Sequence, residues 1–400
     1  MNTELRVTPQ RVHLSPDRPI VILGAGLSGL SLADALADRG CPAPVLLIDR
    51  RAHWTNDRTW GTWLTGPLRF ADLASHRWMT WRTVRGGQQA RQSSREHPYV
   101  RIQAATLYDR VLTRLGSLTQ FEIRTEEAVL ALDTTGPLPV VRTDRERIEA
   151  GLVVDALGAG SPLRGDSARV AGPALSQRFL GWEVRAPAGT FDPDTVTLMD
   201  FRAAGPEGVD FLYVLPFSDA RALVEHTSIG ATAGAPGAAA RRDALADELD
   251  RVAGPGRWER EREERGVIGM TPAPFPLSHG PSTCTVGGAA GAIRPSSGYA
   301  FTRIQRHVEA VADAITDGRP LPTAVAPARF AVLDRAFLVA VAGATDGGEE
   351  LFWRLSCRVG GDVFARFMTD VSTPADEARI LAALPPRQMV GAAVRALVGA

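Results

Sequence analysis

Ile20-Val21-Ile22-Leu23-Gly24-Ala25-Gly26-Leu27-Ser28-Gly29 is an apolar run that passes directly into a Gly-x-Gly-x-x-Gly turn. A helical run follows to Arg39, and Val45-Leu46-Leu47-Ile48-Asp49 is a second apolar run closed by an acid. Strand, glycine turn, helix, strand and acid together make the fingerprint of a dinucleotide-binding βαβ unit. Gly24 allows the sharp turn, Gly26 lets a pyrophosphate approach the backbone, and Gly29 lets helix and strand pack closely. The positive end of the helix that begins near Leu27 then faces the phosphates. Asp49 stands twenty residues beyond Gly29, where a carboxylate can accept bonds from a ribose hydroxyl. Arg50, next to it, joins the cofactor-binding candidates. The motif predicts an adenine dinucleotide and does not choose between FAD and NAD.

Composition narrows the remaining chemistry. The 400 residues suit two or three lobes around a large core. Basic and acidic residues balance at 45 each, so no net field draws the chain to nucleic acid. Every basic residue other than histidine is arginine. The absence of lysine excludes a Schiff-base lysine, a Walker lysine and a pyridoxal anchor. Cys41, Cys284 and Cys357 fit neither a disulfide framework nor a CxxC metal site and read as buried thiols of a reducing cytoplasm. No apolar run is long enough to span a bilayer, and Met1–Arg18 reads as a loose tail. No histidine spacing points to a metal, and no GxSxG elbow points to hydrolysis.

Along the chain, Arg50–Trp63 reads as a polar loop carrying Trp54, Trp60 and Trp63, which serve equally well to pack a hinge or to line a ligand site. Trp78–Arg82 is a predicted strand and Arg85–Arg95 a polar, Gln-rich loop. Gln103–Leu115 sets Leu107, Tyr108, Val111, Leu112 and Leu115 on one helical face. Phe121–Arg124, Val129–Leu132 and Val140–Arg142 read as a meander. Leu152–Gly158 is an apolar strand that runs into Asp155 and then glycine. Phe179–Val184, Thr195–Met199, Phe211–Leu215 and Ala222–Thr227 predict an antiparallel sheet. Ala231–Ala239 reads as a linker, Arg241–Val252 as a helix and Gly266–Met270 as a short strand. Thr285–Gly291 is a second glycine turn before a helix over Phe301–Thr316. Phe330, Leu333, Phe337, Leu338, Phe352, Phe364 and Phe367 lie on C-terminal helices, and for most of them helical core is the expectation rather than the roof of a tunnel. Met389–Leu397 mixes apolar residues with Arg387 and Arg395 in a pattern that suits a membrane interface.

Several of these stretches, in order, resemble the lycopene cyclase family of flavoproteins. They are Gly24–Gly29, Asn56–Trp60, Phe179-Leu180-Gly181-Trp182-Glu183, Met199-Asp200, Phe211–Ser218, Leu223-Val224-Glu225-His226-Thr227, Gly266–Met270 and Gly287–Tyr299. The resemblance covers most of the chain from Pro19 to about Met368. It implies an α/β fold of the aromatic-hydroxylase type: an FAD-binding Rossmann-like domain, an antiparallel β-sheet substrate domain and C-terminal helices. The expected boundaries are 19–60, 99–170 and 271–320 for the FAD domain, 61–98 and 171–270 for the substrate domain, 1–18 for the tail and 321–400 for the helical region. The resemblance also implies that the strand Leu152–Asp155 lies beside the first strand in a parallel sheet. The implied reaction is the closing of β-type rings on the acyclic ends of lycopene, in carotenoid biosynthesis, with reduced FAD and NAD(P)H as a possible electron donor. Because the substrate is an apolar polyene, the resemblance also implies loose peripheral membrane association of a protein that its cysteines place in the cytoplasm.

Two departures from the family pattern stand out. Plant relatives carry adjacent glutamates where this chain has Glu225 and His226. Gly288 holds the place of an aspartate that binds the flavin ribityl chain in hydroxylases; Gly288 and Gly291 remain cofactor-binding candidates, with Pro295, Ser297 and Gly298 of the later turn.

Ring closure needs an acid, negative potential near a cation, a base and a dry pocket. A carboxyl group in apolar surroundings stays protonated because desolvation raises its pKa. Glu183 is the first candidate acid, with Trp182 as an apolar wall; its structural alternative is an ion pair with Arg178 or Arg185. Glu225, in an apolar strand, is the second. His226 falls on the opposite strand face from Glu225. Asp200 is a candidate for stabilising a cation. Three rivals remain: a relative acting on another polyprenyl or meroterpenoid chain, an NADPH-dependent flavin monooxygenase, and a non-catalytic carrier.

Overall fold

The computed structural model describes residues 17–163, 175–201, 208–231, 237–344 and 348–398. The expected tail and the Ala231–Ala239 linker fall largely outside them. The first βαβ unit is Ile20–Leu23 (β1), Leu27–Asp38 (α1) and Val45–Ile48 (β2). Then come Thr59–Trp63 (β3), Ala74–Trp78 (β4), Thr80–Arg85 (β5), Gln88–Ser93 (β6), Tyr99–Gln103 (β7) and the helix Ala104–Gly116 (α2). Phe121–Arg124 (β8), Val129–Asp133 (β9), Val140–Thr143 (β10), Arg147–Glu149 (β11) and Leu152–Asp155 (β12) complete the first half.

The parallel sheet has the order β2 between β8 and β1, then β12 and, after it, Thr283–Thr285, numbered β18 below. As expected, Leu152–Asp155 returns beside β1 in parallel, with Ile20 opposite Leu152. Every residue of β1, β2 and β12 is buried, as a sheet covered on both faces requires. Phe121–Arg124 does not belong to the meander that its sequence suggested. It runs parallel to β2, with Val45 opposite Phe121, because α2 carries the chain back to that edge. The meander is instead β9–β10–β11.

The second half supplies Leu175–Arg185 (β13), Thr195–Phe201 (β14), Gly208–Pro216 (β15), Arg221–Gly230 (β16), the helix Ala238–Ala253 (α3), Glu259–Met270 (β17) and Thr283–Thr285 (β18). The chain closes with helices Phe301–Thr316 (α4), Ala328–Ala342 (α5), Glu349–Arg358 (α6), Gly361–Met368 (α7), Pro374–Ala383 (α8) and Pro386–Val398 (α9). Strands β13 to β17 join β5 and β6 in a seven-stranded sheet of order β17-β13-β16-β15-β14-β5-β6. Its one parallel pairing is β14 with β5. Three further expectations change here. Cys41 and Cys284 are buried as expected, but Cys357, on α6, is exposed. The polar stretch Arg85–Arg95 contains an edge strand, β6, joined to β5 through Gly86 and Gly87 at φ 55° and 79°. Two glycines with positive φ make the tight hairpin turn whose twist matches the strands. Thr59–Trp63, read as loop, is a strand paired with β7.

Side-chain alternation gives the large sheet two faces. Leu180, Trp182, Val184, Leu212 and Val224 pack on Leu245 and Leu249 of α3. The other face looks towards the C-terminal helices and encloses a cavity with them.

Candidate active site

The glycine turn forms a cradle with little freedom. A Cβ on Gly29 would sit 1.9 Å from the Gly24 carbonyl oxygen, so only glycine closes this contact. A Cβ on Gly26 would meet nothing nearer than Arg51 Nη2 at 3.9 Å. That is the open approach a pyrophosphate needs. Gly26 caps α1 without a side-chain bond, so the first N–H groups of the helix face outward. Asp49 is buried and accepts the Ala25 N–H at 2.8 Å. It also accepts Arg51 N, Nε and Nη2 at 2.9, 3.0 and 2.9 Å. These four bonds occupy both carboxylate oxygens, and they hold its pKa below the ordinary range against the opposing effect of burial. A ribose hydroxyl at Asp49 would therefore replace one of the Arg51 bonds. Arg50 is exposed at the rim. At the second turn, a Cβ on Gly288 would lie 2.8 Å from Ala159 N and one on Gly291 (φ 78°) 2.9 Å from Phe275 Cδ2. The place of the ribityl-binding aspartate is thus filled by neighbouring backbone. Gly298 (φ 75°) turns the chain ahead of α4, and Ser297 Oγ there is buried without a partner among the described residues. The residues present fit a dinucleotide at Gly24–Gly29, and the turn before α4 adds an orphaned hydroxyl at Ser297.

Beyond that turn lies a cavity of about 360 Å³ between the seven-stranded sheet and the C-terminal helices. Leu333, Phe337, Phe352, Phe364 and Phe367 line it, so most of the C-terminal apolar residues form a roof. Phe330 and Leu338 are the two that are buried in packed core instead. Trp60 lines the cavity near the cradle, Trp63 packs on Tyr99 and Trp81, and the Trp54 indole N–H donates to Ala25 O at 2.7 Å. The loop tryptophans thus divide between packing and lining.

Polar groups enter this cavity in one row. Gly181 of β13 stands opposite Glu225 of β16 on one side and Glu264 of β17 on the other; Tyr213 of β15 stands opposite Glu225. Glu225, Glu264 and Tyr213 all line the cavity. Burial pushes the Glu225 carboxyl up to about 8, and the charge of Glu264 adds to the rise. One bond opposes it, from Thr227 Oγ1 to Glu225 Oε1 at 2.7 Å. The surface that Glu225 leaves uncovered is cavity wall, which an apolar ligand would dry further. The hydroxyls of Tyr99, Tyr213 and Tyr299 cluster beside it, with Tyr99 and Tyr299 3.2 Å apart. Burial raises all three phenols, Tyr299 to about 12, so they are neutral hydroxyls at physiological pH.

Glu183 is held differently. It is ion-paired to Arg101 and, at 2.9 Å, to Arg262, rather than to Arg178 or Arg185. Burial lowers Arg101 to about 10, with Glu183 pulling the other way. Trp182 does not wall Glu183: it turns to the α3 face, stacks on Trp258 and donates to Glu263 at 3.0 Å. Asp200, expected beside a cation, is opposite Leu212, a residue of the α3 face, and its charge acts on Arg251 of that helix. A register irregularity between Thr197 and Asp200 interrupts the alternation here, and Leu198 and Met199 line the cavity instead. His226 does lie on the face opposite Glu225, 2.9 Å from Asp210. Pro295 stands in the turn, and Ser296 donates to the buried Asp334, which also binds Arg294 and Arg303. Sequence reading missed Glu264, Arg101, Arg262 and the tyrosines. Glu264 lies in the charged run Glu259–Arg265, which resembles a solvated strand. Gly181, a glycine inside a strand, was the available signal of a close approach.

Comparison with known proteins agrees with this architecture. Residues 19–394 match the family model described as lycopene cyclase protein. The chain is 29% identical over 406 residues to a lycopene beta-cyclase of a Paracoccus species, covering 94% of this chain and 96% of that one. It is 27% identical to a lycopene beta-cyclase of Pseudescherichia vulneris, covering 92% and 94%. Among solved structures, a geranylgeranyl bacteriochlorophyll reductase-like protein from Thermoplasma acidophilum superposes with a TM-score of 0.61 at 14% identity, over 94% of this chain and 98% of that one. A variant of Klebsiella pneumoniae HpxO complexed with FAD gives 0.61 at 16% identity, over 90% and 100%. These structural likenesses establish the fold.

Proposed function

This chain belongs to the lycopene cyclase family, and from that premise we propose that it closes β-type rings on the acyclic ends of lycopene by acid initiation, with FAD bound and no net redox change. One observation carries the reading: Glu225, a carboxyl group raised to about 8, lines an apolar cavity. At neutral pH it is an acid that keeps its proton until an alkene takes it.

The terminal alkene of the polyene accepts the Glu225 proton and becomes a tertiary cation. Trp60, Tyr213 and Tyr299 line the cavity and supply aromatic rings whose quadrupoles can stabilise that charge. A second alkene attacks the cation and forms the ring bond, and a neighbouring C–H gives up its proton. The apolar roof at Phe337, Phe352 and Phe364 keeps water from capturing the cation. Gly24, Gly26, Gly29 and Asp49 would hold the FAD pyrophosphate and ribose, and Ser297 and Gly298 its ring end. Reduced FAD, maintained by a nicotinamide donor, would supply diffuse negative charge near the cation. Glu183 serves as the counter-charge to Arg101 and Arg262. The deciding experiment is co-expression in a lycopene-accumulating host with pigment analysis. Ringed product of unchanged mass is expected; unaltered lycopene or an oxygenated pigment would overturn the reading.

A further inference from the structure

We propose that Glu264 is the base that takes the ring proton in the last step, working opposite Glu225 across the gap left by Gly181. The inference rests on reading the cavity as a cyclase site.

The two carboxyl groups share one cavity and differ in their surroundings. Glu264 Oε2 accepts Thr59 Oγ1 at 2.9 Å and pairs with Arg262 at 2.7 Å. Among the described residues no bond falls on its Oε1, which keeps its lone pairs for a proton. Among the described residues Glu225 has no arginine partner, and its side chain bonds only to the neutral hydroxyl of Thr227. The site thus holds an ion-paired carboxylate and a protonated acid side by side, the arrangement that divides base from acid. Their backbones are two strand spacings apart, about 10 Å. Gly181 lies between them and adds no side chain to the row. A Cβ there would press to 3.3 Å from Glu225 Cβ. The charged groups near the pair are Arg262 on β17, Glu183 and Arg101 behind it, and Arg58 at the cavity wall; the hydroxyls of Tyr99, Tyr213 and Tyr299 face it from the other side.

The step balances without a further reagent. The Glu225 O–H breaks, its proton forms a C–H bond, and Glu225 is left as carboxylate. After ring closure a ring C–H breaks, its electron pair becomes the ring double bond, and its proton goes to Glu264 Oε1. The pair is then the reverse of the starting state, and return of one proton from Glu264 to Glu225 restores it. Because the base chooses which C–H is broken, Glu264 also sets the ring isomer.

The test compares wild type, Glu264→Gln and Glu264→Asp in heavy water, with flavin content as the measure of intact fold. For Glu264→Gln we expect turnover lower on the order of 100-fold. Protonation by Glu225 persists, so deuterium appears in recovered acyclic lycopene or a second ring isomer appears in the product. The basic limb of its pH–rate profile also moves to lower pH, since burial still raises Glu225 but the added rise from the Glu264 charge is gone. Glu264→Asp restores a carboxylate and regains most of the lost turnover. Unchanged turnover, isomer and pH limb in Glu264→Gln would overturn the assignment. So would lost turnover with unlabelled lycopene and a single isomer, which is the signature of a structural role. Wild-type protein that forms no ring in the same assay defeats the cyclase reading itself, and the base with it.

Discussion

Glu225→Gln removes one proton and almost no volume, and its effect can be worked from the site. With a pKa of about 8, roughly nine-tenths of Glu225 is protonated at pH 7. At the ordinary value of 4.5 the fraction would be about 0.3%, so the cavity enriches the acid by about 300-fold. Glutamine offers no transferable proton, and general acid catalysis of this kind contributes about 10² to 10⁴ in rate. We expect turnover to fall by about 1,000-fold, measured as ringed pigment formed per flavin. Stability should move the other way. A carboxyl whose folded pKa is raised leaves stability intact below about 4.5 and loses it as pH rises towards about 8. At pH 7 that penalty has a ceiling of about 3 kcal/mol, and glutamine removes it. The variant should therefore be inactive yet melt at a higher temperature, with the gain largest at neutral and alkaline pH. Wild-type turnover should fall as pH passes about 8. Turnover within tenfold of wild type, or a basic limb near pH 5, would refute the reasoning.

Other substitutions probe the rest of the account. Gly26→Val should abolish flavin binding while circular dichroism remains that of the folded protein, because the branched side chain fills the open approach at α1; full flavin content would remove this turn from cofactor binding. Gly181→Ala should cost about 1–3 kcal/mol and lower turnover, since its methyl would meet Leu223 Cδ1 at 3.1 Å and Glu225 Cβ at 3.3 Å. Glu183→Gln should lower the stability to denaturant by about 3–5 kcal/mol, because Arg101 and Arg262 lose their shared counter-charge. Asp200→Asn, on the α3 face, should leave turnover within about twofold, and a large loss there would bring Asp200 back to the reaction.

The first βαβ unit of the parallel sheet was legible because its signals are local, whereas the place of β12 beside β1 came from the family resemblance and that of β8 was missed. A glycine fingerprint needs only ten residues, and Leu152–Asp155 is wholly apolar up to its acid. The helix expected from about Phe301 to Thr316 is α4, since its apolar period is strong and its start follows Gly298. The row that sets Glu225 beside Glu264 was not legible, because it depends on register. Glu225 and Glu264 are 39 residues apart in the chain and meet only because β16 and β17 both pair with β13 at Gly181. A shift of one residue in either pairing would turn the carboxyl to the other face. The ion pairs of Glu183 were hidden for a related reason. It lies two residues from Gly181, on the same face, but its partners come from β7 and β17, which no local pattern announces. The roof at Phe337, Phe352 and Phe364 looked like core because a cavity wall and a packed core share one apolar period.

The central claim is acid-initiated ring closure without net redox change, and mass analysis of the product tests it most directly. Flavin-loaded protein, reduced under anaerobic conditions, is given lycopene in ordinary water and in heavy water. The account predicts a product of the same mass as lycopene in ordinary water. It predicts one deuterium per new ring in heavy water, and many turnovers without further reductant. Oxygen in the product, NADPH consumed in step with ring formation, or rings free of deuterium would contradict it.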